Sequence, residues 1–386
     1  VFGERDLMES TMTALAGEST VPRPINTIAG YSAFWITGQA DFYRHTGDIA
    51  YLRGEHRHLL EILGVMDSDL DPEGLITNPE KHKIFVDWSP GFNSDTPEAR
   101  AATQFEYALA YKDAAYLLTE LGDGANAAGY AAKADRLRSA AQAHLLNAST
   151  NTFGSRWQTN AMAVLAGAAT PAEQQSIWSA VLSHVLIPEG ADTIITPYYG
   201  YYVLSAMAAL NHRADALEWM RKYWGGMIAE GATSFWEAYD PRWPKQDFHA
   251  HLQADNKTGY YISLAHGWSA GPTAWLMEQV LGIQPTAAGF RTVSIRPDLV
   301  GLAWARGAEP TPRGPIRVDV QSEKIQLSLP PGTVATVSLP FAPGGPILQN
   351  GKIVPATPAE DGSRSLVTLT SAGDYTFTPG SRGMRQ

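Results

Sequence analysis

Cysteine is absent from all 386 residues, which removes disulfides, thiolate metal sites and thiol nucleophiles together and leaves the redox compartment open. Charge is sparse: Asp, Glu, Lys and Arg make up only 18% of the chain, and the net charge of −10 disfavours nucleic acid or an anionic membrane surface as partner. No apolar run approaches the roughly eighteen residues of a membrane span. There is no Gly-rich phosphate loop, nucleophile elbow or dinucleotide fingerprint. The opening Val1–Asp6 carries neither an initiator Met nor the regions of a signal peptide, so it reads as the interior of something longer or trimmed.

What is abundant is apolar and aromatic. Hydrophobic residues reach 44%, with 11 Trp and 16 Tyr; this is a folded globular chain with more rings than a core of this size needs. The length fits two or three domains. Up to about residue 283 the apolar residues recur at helical spacing, as in Phe105, Ala108, Tyr111, Ala115 and Leu118, or Leu217, Met220, Trp224 and Met227. Tight connectors such as Thr46-Gly47-Asp48 predict helical hairpins, and ten or eleven helices without a short strict repeat predict a closed toroid. Beyond Gly282 the period becomes two, in Ile316, Val318 and Val320, in Ile325, Leu327 and Leu329, and in Ala335, Val337 and Leu339. Asn350-Gly351 marks a hairpin. The expected organisation is a helical barrel over 1–283, a small antiparallel β domain over 284–379 and a tail at 380–386.

Three connectors are long, polar and aromatic: Lys81–Arg100, Leu186–Tyr202 and Ala229–His266. Long loops in a compact domain commonly carry function. Two of them hold a carboxylate beside an indole, Asp87-Trp88 and Trp236-Glu237. An aromatic ring stacks on the apolar face of a sugar and lowers the dielectric around a neighbouring acid, and paired carboxylates across a pocket are what glycoside hydrolysis uses. The competing reading of each pair is a buried ring beside a solvated acid. Trp243, Tyr260, Tyr261, His266 and Trp268 accompany Glu237. Asp95, Glu98, Glu189, Asp192, Asp240 and Asp247 read as caps or solvated charges. His249 and His251 form an HxH pair without a third ligand at a family spacing, so no metal site is expected. His266 reads locally as a helix-entry residue. The tyrosines at 198, 199, 201 and 202 serve equally as pocket wall or helix packing.

The order of segments resembles glycoside hydrolase family 78, the α-L-rhamnosidases. The matching pieces are Asn26-Thr27-Ile28 opening a helix that leads to Thr46-Gly47-Asp48, Val86-Asp87-Trp88, Gly231–Glu237, Ser263–His266, Ile295-Arg296-Pro297 and Thr311–Gly314. The resemblance implies an (α/α)6 barrel, lacking its first helix here, followed by a β-sandwich. It implies inverting hydrolysis of terminal α-L-rhamnosyl residues, with Glu237 as general base. Asp87 would hold sugar hydroxyls, and Trp88, Trp236 and His266 would line the rhamnose pocket, with Tyr198 a further wall candidate. No cofactor is implied.

Val86 and Ala265 depart from the Gly and Asn common at those places. The family's general acid is a Glu in an Asp/Arg-rich segment before the barrel's second helix. Glu4-Arg5-Asp6 has matching letters but sits on what reads as a continuing helix, so the role is not transferred to Glu4. An upstream portion of the same polypeptide is expected to supply the acid, unless standard catalysis has been lost. The alternatives are a polysaccharide lyase using Tyr198 or Tyr202 with a His, and a sugar-binding protein without turnover. The expected partner is a rhamnose-containing glycoside. Such substrates suggest a secreted or extracytoplasmic protein, with the cytoplasm as the alternative.

Overall fold

The computed structural model describes residues 5–17, 23–190, 193–242, 263–341 and 344–380. Two compact units emerge from its internal contacts: one holds Asp6–Ala40 and Ile49–Pro272, and the other gathers Asp41–Asp48 with the chain from Thr273 onward. Apart from Gly380, the expected tail lies outside the described residues, as does Glu4.

The first unit is built from helical hairpins. Its helices are α1 (Asp6–Gly17), α2 (Ala29–Thr46, up to Ala40), α3 (Ile49–Asp67), α4 (Pro97–Glu120), α5 (Gly124–His144), α6 (Trp157–Leu165), α7 (Pro171–Ala180), α8 (Pro197–Ala209) and α9 (Arg213–Ala229), and the short α10 (Gly271–Trp275) begins at its end. Helix α4 starts where Thr96 accepts a hydrogen bond from the Ala99 N–H and Pro97 takes the first turn. It packs against α5 along much of its length. Asp123 caps α5 after a turn in which Gly122 takes φ 79°. Because α4 buries Gln104, Glu106 and Asp113 as well as its apolar residues, it is largely an interior helix, exposed only at a few positions such as Lys112 and Thr119. Helix α3 is amphipathic by contrast, burying Leu52, Glu55, Leu59, Ile62, Leu63 and Met66.

One local expectation is corrected. Asn26 and Thr27 take positive φ, 51° and 62°, inside a 3-10 turn at Ile25–Thr27. The helix they were expected to open therefore starts at Ala29. Among the described residues, no helix is long and apolar enough to cross a membrane.

The second unit contains two sheets, ordered β1-β2-β6-β10-β9 and β3-β4-β5-β11-β7-β8. The strands are β1 (Ile283–Pro285), β2 (Thr292–Ile295), β3 (Trp304–Glu309), β4 (Ile316–Gln321), β5 (Lys324–Leu329), β6 (Val334–Leu339), β7 (Ile347–Gln349), β8 (Lys352–Val354), β9 (Thr357–Pro358), β10 (Ser365–Leu369) and β11 (Gly373–Pro379). Alternate residues, among them Val318, Val320, Ile325, Leu327, Val337, Val367 and Phe377, form its core. Asn350 and Gly351 both take positive φ, 51° and 79°, as a two-residue hairpin between β7 and β8 requires. One pairing departs from the antiparallel expectation: β2 lies parallel to β6. The chain spends β3, β4 and β5 in the other sheet before returning, so the two strands run in the same direction.

Candidate active site

The long connectors meet, and Asp87 is where two of them are fastened. Its carboxylate accepts hydrogen bonds from the Trp88 N–H (2.8 Å), the Ser89 hydroxyl (3.1 Å) and the Gln158 amide (2.8 Å). The Thr196 hydroxyl (2.5 Å) and N–H (3.2 Å) complete the set. Five donors exceed the roughly four lone-pair positions of a carboxylate, and Asp87 is 0% exposed. In this conformation the group ties loop 85–92 to α6 and to the segment entering α8, and it offers nothing to a sugar hydroxyl. A second tie joins the neighbouring loops, where Arg242 bridges Asp240, the Gly190 carbonyl and the Thr193 hydroxyl.

Glu237 stands in a different setting. It is half-buried, on a short extended segment that pairs with residues 263–266. Its N–H donates to the Ser263 carbonyl (2.8 Å), and the His266 N–H donates to the Phe235 carbonyl (2.7 Å). The Ser263 N–H in turn donates to Glu237 Oε2 at 2.8 Å. Among the described residues the other carboxylate oxygen, Oε1, has no hydrogen bond. Tyr31, near the start of α2, faces this carboxylate: burial first, and then the negative charge of Glu237, pushes its phenol above the ordinary range.

Tyr31 also connects Glu237 to a cluster of rings. It meets Trp268 edge-on at 5.1 Å and Phe85 at 6.2 Å. Phe85 meets Trp88 at 4.9 Å. Trp268 lies 5.1 Å from Tyr198 and 6.2 Å from His266. Trp88 and Trp268 remain 44% and 52% exposed, two partly open indoles in the ring cluster that Tyr31 joins to Glu237. Beneath them the environment becomes dry. Tyr199 donates to Glu106 Oε1 at 2.8 Å, while among the described residues Glu106 Oε2 and the Tyr198 hydroxyl are buried without a hydrogen-bond partner. A Cβ on Gly30 would lie 2.8 Å from Glu106 Oε2, so only glycine lets α2 pass this close. Burial lifts the Glu106 carboxyl to about 8, against the lowering effect of the Tyr199 hydrogen bond. Burial likewise drives Tyr198 well above its ordinary range, with Tyr202 and Glu106 adding to the effect. A phenol so displaced is a poor proton acceptor near neutrality, which counts against the lyase alternative.

Of the residues singled out from sequence, Trp88, His266 and Tyr198 thus join one network of ring contacts around Tyr31 and Trp268, with Glu237 beside Tyr31. Asp87 lies behind it as a buried fastening. Trp236 is only 4% exposed and its ring is 6.4 Å from Tyr239, so it packs inward. Trp243, Asp247, His249, His251, Tyr260 and Tyr261, and Asp192 in another loop, lie outside the described residues. Sequence reasoning missed Tyr31 and Glu106 as site members, because both sit at ordinary core positions of helices. Gln158 and Thr196 carried no signal beyond lying near loops. Among the described residues no group of His, Asp and Glu that could hold a metal ion is present.

Comparison with known proteins attaches a family to this arrangement. Residues 5–280 match the model of the bacterial alpha-L-rhamnosidase 6 hairpin glycosidase domain, and residues 282–353 match that of the bacterial alpha-L-rhamnosidase C-terminal domain. A curated alpha-L-rhamnosidase of Alteromonas sp. (strain LOR) is 27% identical over 360 residues, covering 87% of this chain and 36% of that protein. One from Streptomyces avermitilis is 33% identical over 122 residues, covering 30% of this chain and 11% of its own. The chain therefore matches about a third or less of the length of these relatives. Among solved structures, the alpha-L-rhamnosidase of Dictyoglumus thermophilum superposes with a TM-score of 0.75 at 17% identity, over 91% of this chain and 40% of that one. The Streptomyces avermitilis alpha-L-rhamnosidase complexed with L-rhamnose gives 0.70 at 21% identity, over 91% and 32%. These last likenesses carry the fold: a six-hairpin helical barrel followed by a β domain.

Proposed function

The chain belongs to the bacterial α-L-rhamnosidase family, and on that premise we propose that it carries the sugar pocket and general base of an inverting hydrolase acting on terminal α-L-rhamnosyl residues. The observation supporting this most is Glu237, a half-buried carboxylate oriented through one oxygen by the Ser263 N–H and joined through Tyr31 to the exposed Trp88 and Trp268. Fixing Oε2 leaves Oε1 to take a proton from water as that water attacks the anomeric carbon. The indole faces receive the apolar side and methyl group of the deoxy sugar, and His266 and Tyr198 close the wall. Asp87 serves as a positioning residue that sets Trp88 through its loop. The general acid is assigned to a residue outside those described, since beside the rings Asp87 is saturated and Glu106 is sealed from solvent. Substrates of this kind fit a secreted or extracytoplasmic protein.

The test uses two aryl α-L-rhamnosides that differ in leaving group. A dinitrophenolate departs without protonation, so turnover of that substrate depends on the base alone, whereas a phenyl glycoside needs the general acid as well. Glu237→Gln lowers kcat on the activated substrate about 10²- to 10⁴-fold, and proton NMR of the first product shows the β anomer of L-rhamnose. Retained turnover in Glu237→Gln, or an α product, overturns the assignment.

A further inference from the structure

The solvent face of the six-stranded sheet has no role in the pocket chemistry, yet it is shaped and chemically uniform. On the adjacent strands β3, β4, β5 and β11, Arg306 lies opposite Asp319, Asp319 opposite Gln326, and Gln326 opposite Thr376. One step along, Ala308, Arg317, Ser328 and Asp374 form a second row. Since the alternate residues Val318, Leu327 and Phe377 enter the core, both rows point the other way. They border an open depression of about 640 Å³ on the sheet surface. Its floor is low because Ala308 and Ser328 are small among longer neighbours.

The chemistry of that hollow specifies a ligand class. Two guanidinium groups and two carboxylates cancel in charge, which selects against a strongly charged ligand. Among the described residues, the side chains of Arg306, Arg317, Asp319, Gln326 and Asp374 have no hydrogen bond or ion pair with the protein, so planar donors and acceptors stand unused side by side. Paired donors and acceptors on rigid strands match vicinal hydroxyls. Trp304, two residues before Arg306 and so on the same face, is 61% exposed and offers a ring on which a pyranose can stack. We propose that this face is a second carbohydrate-binding site, taking a neutral glycan chain. The choice of a rhamnose-bearing glycan as probe rests on the reading of the barrel pocket, whereas the site itself does not.

The experiment is isothermal titration of the full chain, carrying Glu237→Gln to block turnover, with a neutral α-linked L-rhamnose hexasaccharide. Two sites per chain are expected. Adding Arg306→Ala and Arg317→Ala removes one of them, weakening it at least tenfold, with an unchanged melting temperature. In the catalytically competent chain the same pair leaves aryl rhamnoside turnover as it was. Arg317→Lys, which keeps charge but loses the planar fork, weakens the same site. Adding Trp88→Ala and Trp268→Ala instead removes the other site. Binding that is indifferent to Arg306 and Arg317 overturns the proposal. Loss of binding only in the arginine variants upholds it and counts against the barrel pocket instead.

Discussion

At Asp87 and Glu237 the same local chemistry, a carboxylate next to an indole, is folded into two environments. The Asp87 oxygens meet five donors of the protein in a site without solvent. Among the described residues Glu237 meets one, the Ser263 N–H, and keeps partial exposure beside partly exposed rings. A buried carboxylate must be hydrogen-bonded to be tolerated, and once it is, it becomes a structural pin. A carboxylate held through one oxygen retains the other for chemistry. On the proposed reading the pocket has a dry floor, where acids maintain geometry, and a wet rim, where an acid and two indoles would face the ligand.

The sharpest way to break this comparison is to exchange the two effects. Glu237→Gln is expected to cost about 10²- to 10⁴-fold in kcat while moving stability by no more than ~0.5 kcal/mol, read by aryl rhamnoside turnover and urea unfolding of the same preparation. Asp87→Ala should do the reverse, destabilising the fold by about 3–5 kcal/mol because the five donors that it satisfies lose a shared acceptor in a buried site. A urea midpoint unchanged from the parent removes the distinction drawn between floor and rim.

Glu106 sharpens it further. Its folded value of about 8 lies above the ordinary 4.5, so its neutral form favours the fold fully below about pH 4.5, and that contribution is lost as pH rises through 8. Glu106→Gln removes the slope: relative to the parent it gains stability between pH 5 and pH 9, by roughly 3 kcal/mol after allowing for relaxation of the site. Parallel stability profiles for the two proteins contradict a neutral buried carboxyl. The smallest effect is expected at the rim, where Trp268→Ala raises KM about tenfold, ~1.4 kcal/mol of ring contact, with kcat little changed.

Much of the fold could be read from residue order. The period-two runs became β4, β5 and β6, and Asn350-Gly351 closed its hairpin, because one buried face imposes alternation. Strand β3 gave no such signal. Its inward positions are Ala305, Gly307 and Glu309, and a Cβ at Gly307 would lie 2.4 Å from Leu281 Cδ1, so packing there demands the absence of a side chain. Glu237 was legible as an acid in an aromatic loop. What was not legible is which acids would be buried, since Asp87-Trp88 and Trp236-Glu237 have the same composition. Three of the five donors that saturate Asp87 come from Gln158 and Thr196, far along the chain. Tyr31 reaches Glu237 across a still longer separation, while its own spacing says only that it belongs to a helix. Trp236 shows the same ambiguity from the other side, being the indole of its pair that turned inward.

The most direct test of the account is calorimetric titration of L-rhamnose into the parent chain, Glu237→Gln and the Trp88→Ala/Trp268→Ala pair. A rim that binds through indoles and reacts through one carboxylate predicts that Glu237→Gln keeps its affinity within a few-fold while the indole pair loses at least tenfold. Equal affinity in the indole pair, or loss of rhamnose binding in Glu237→Gln alone, contradicts it.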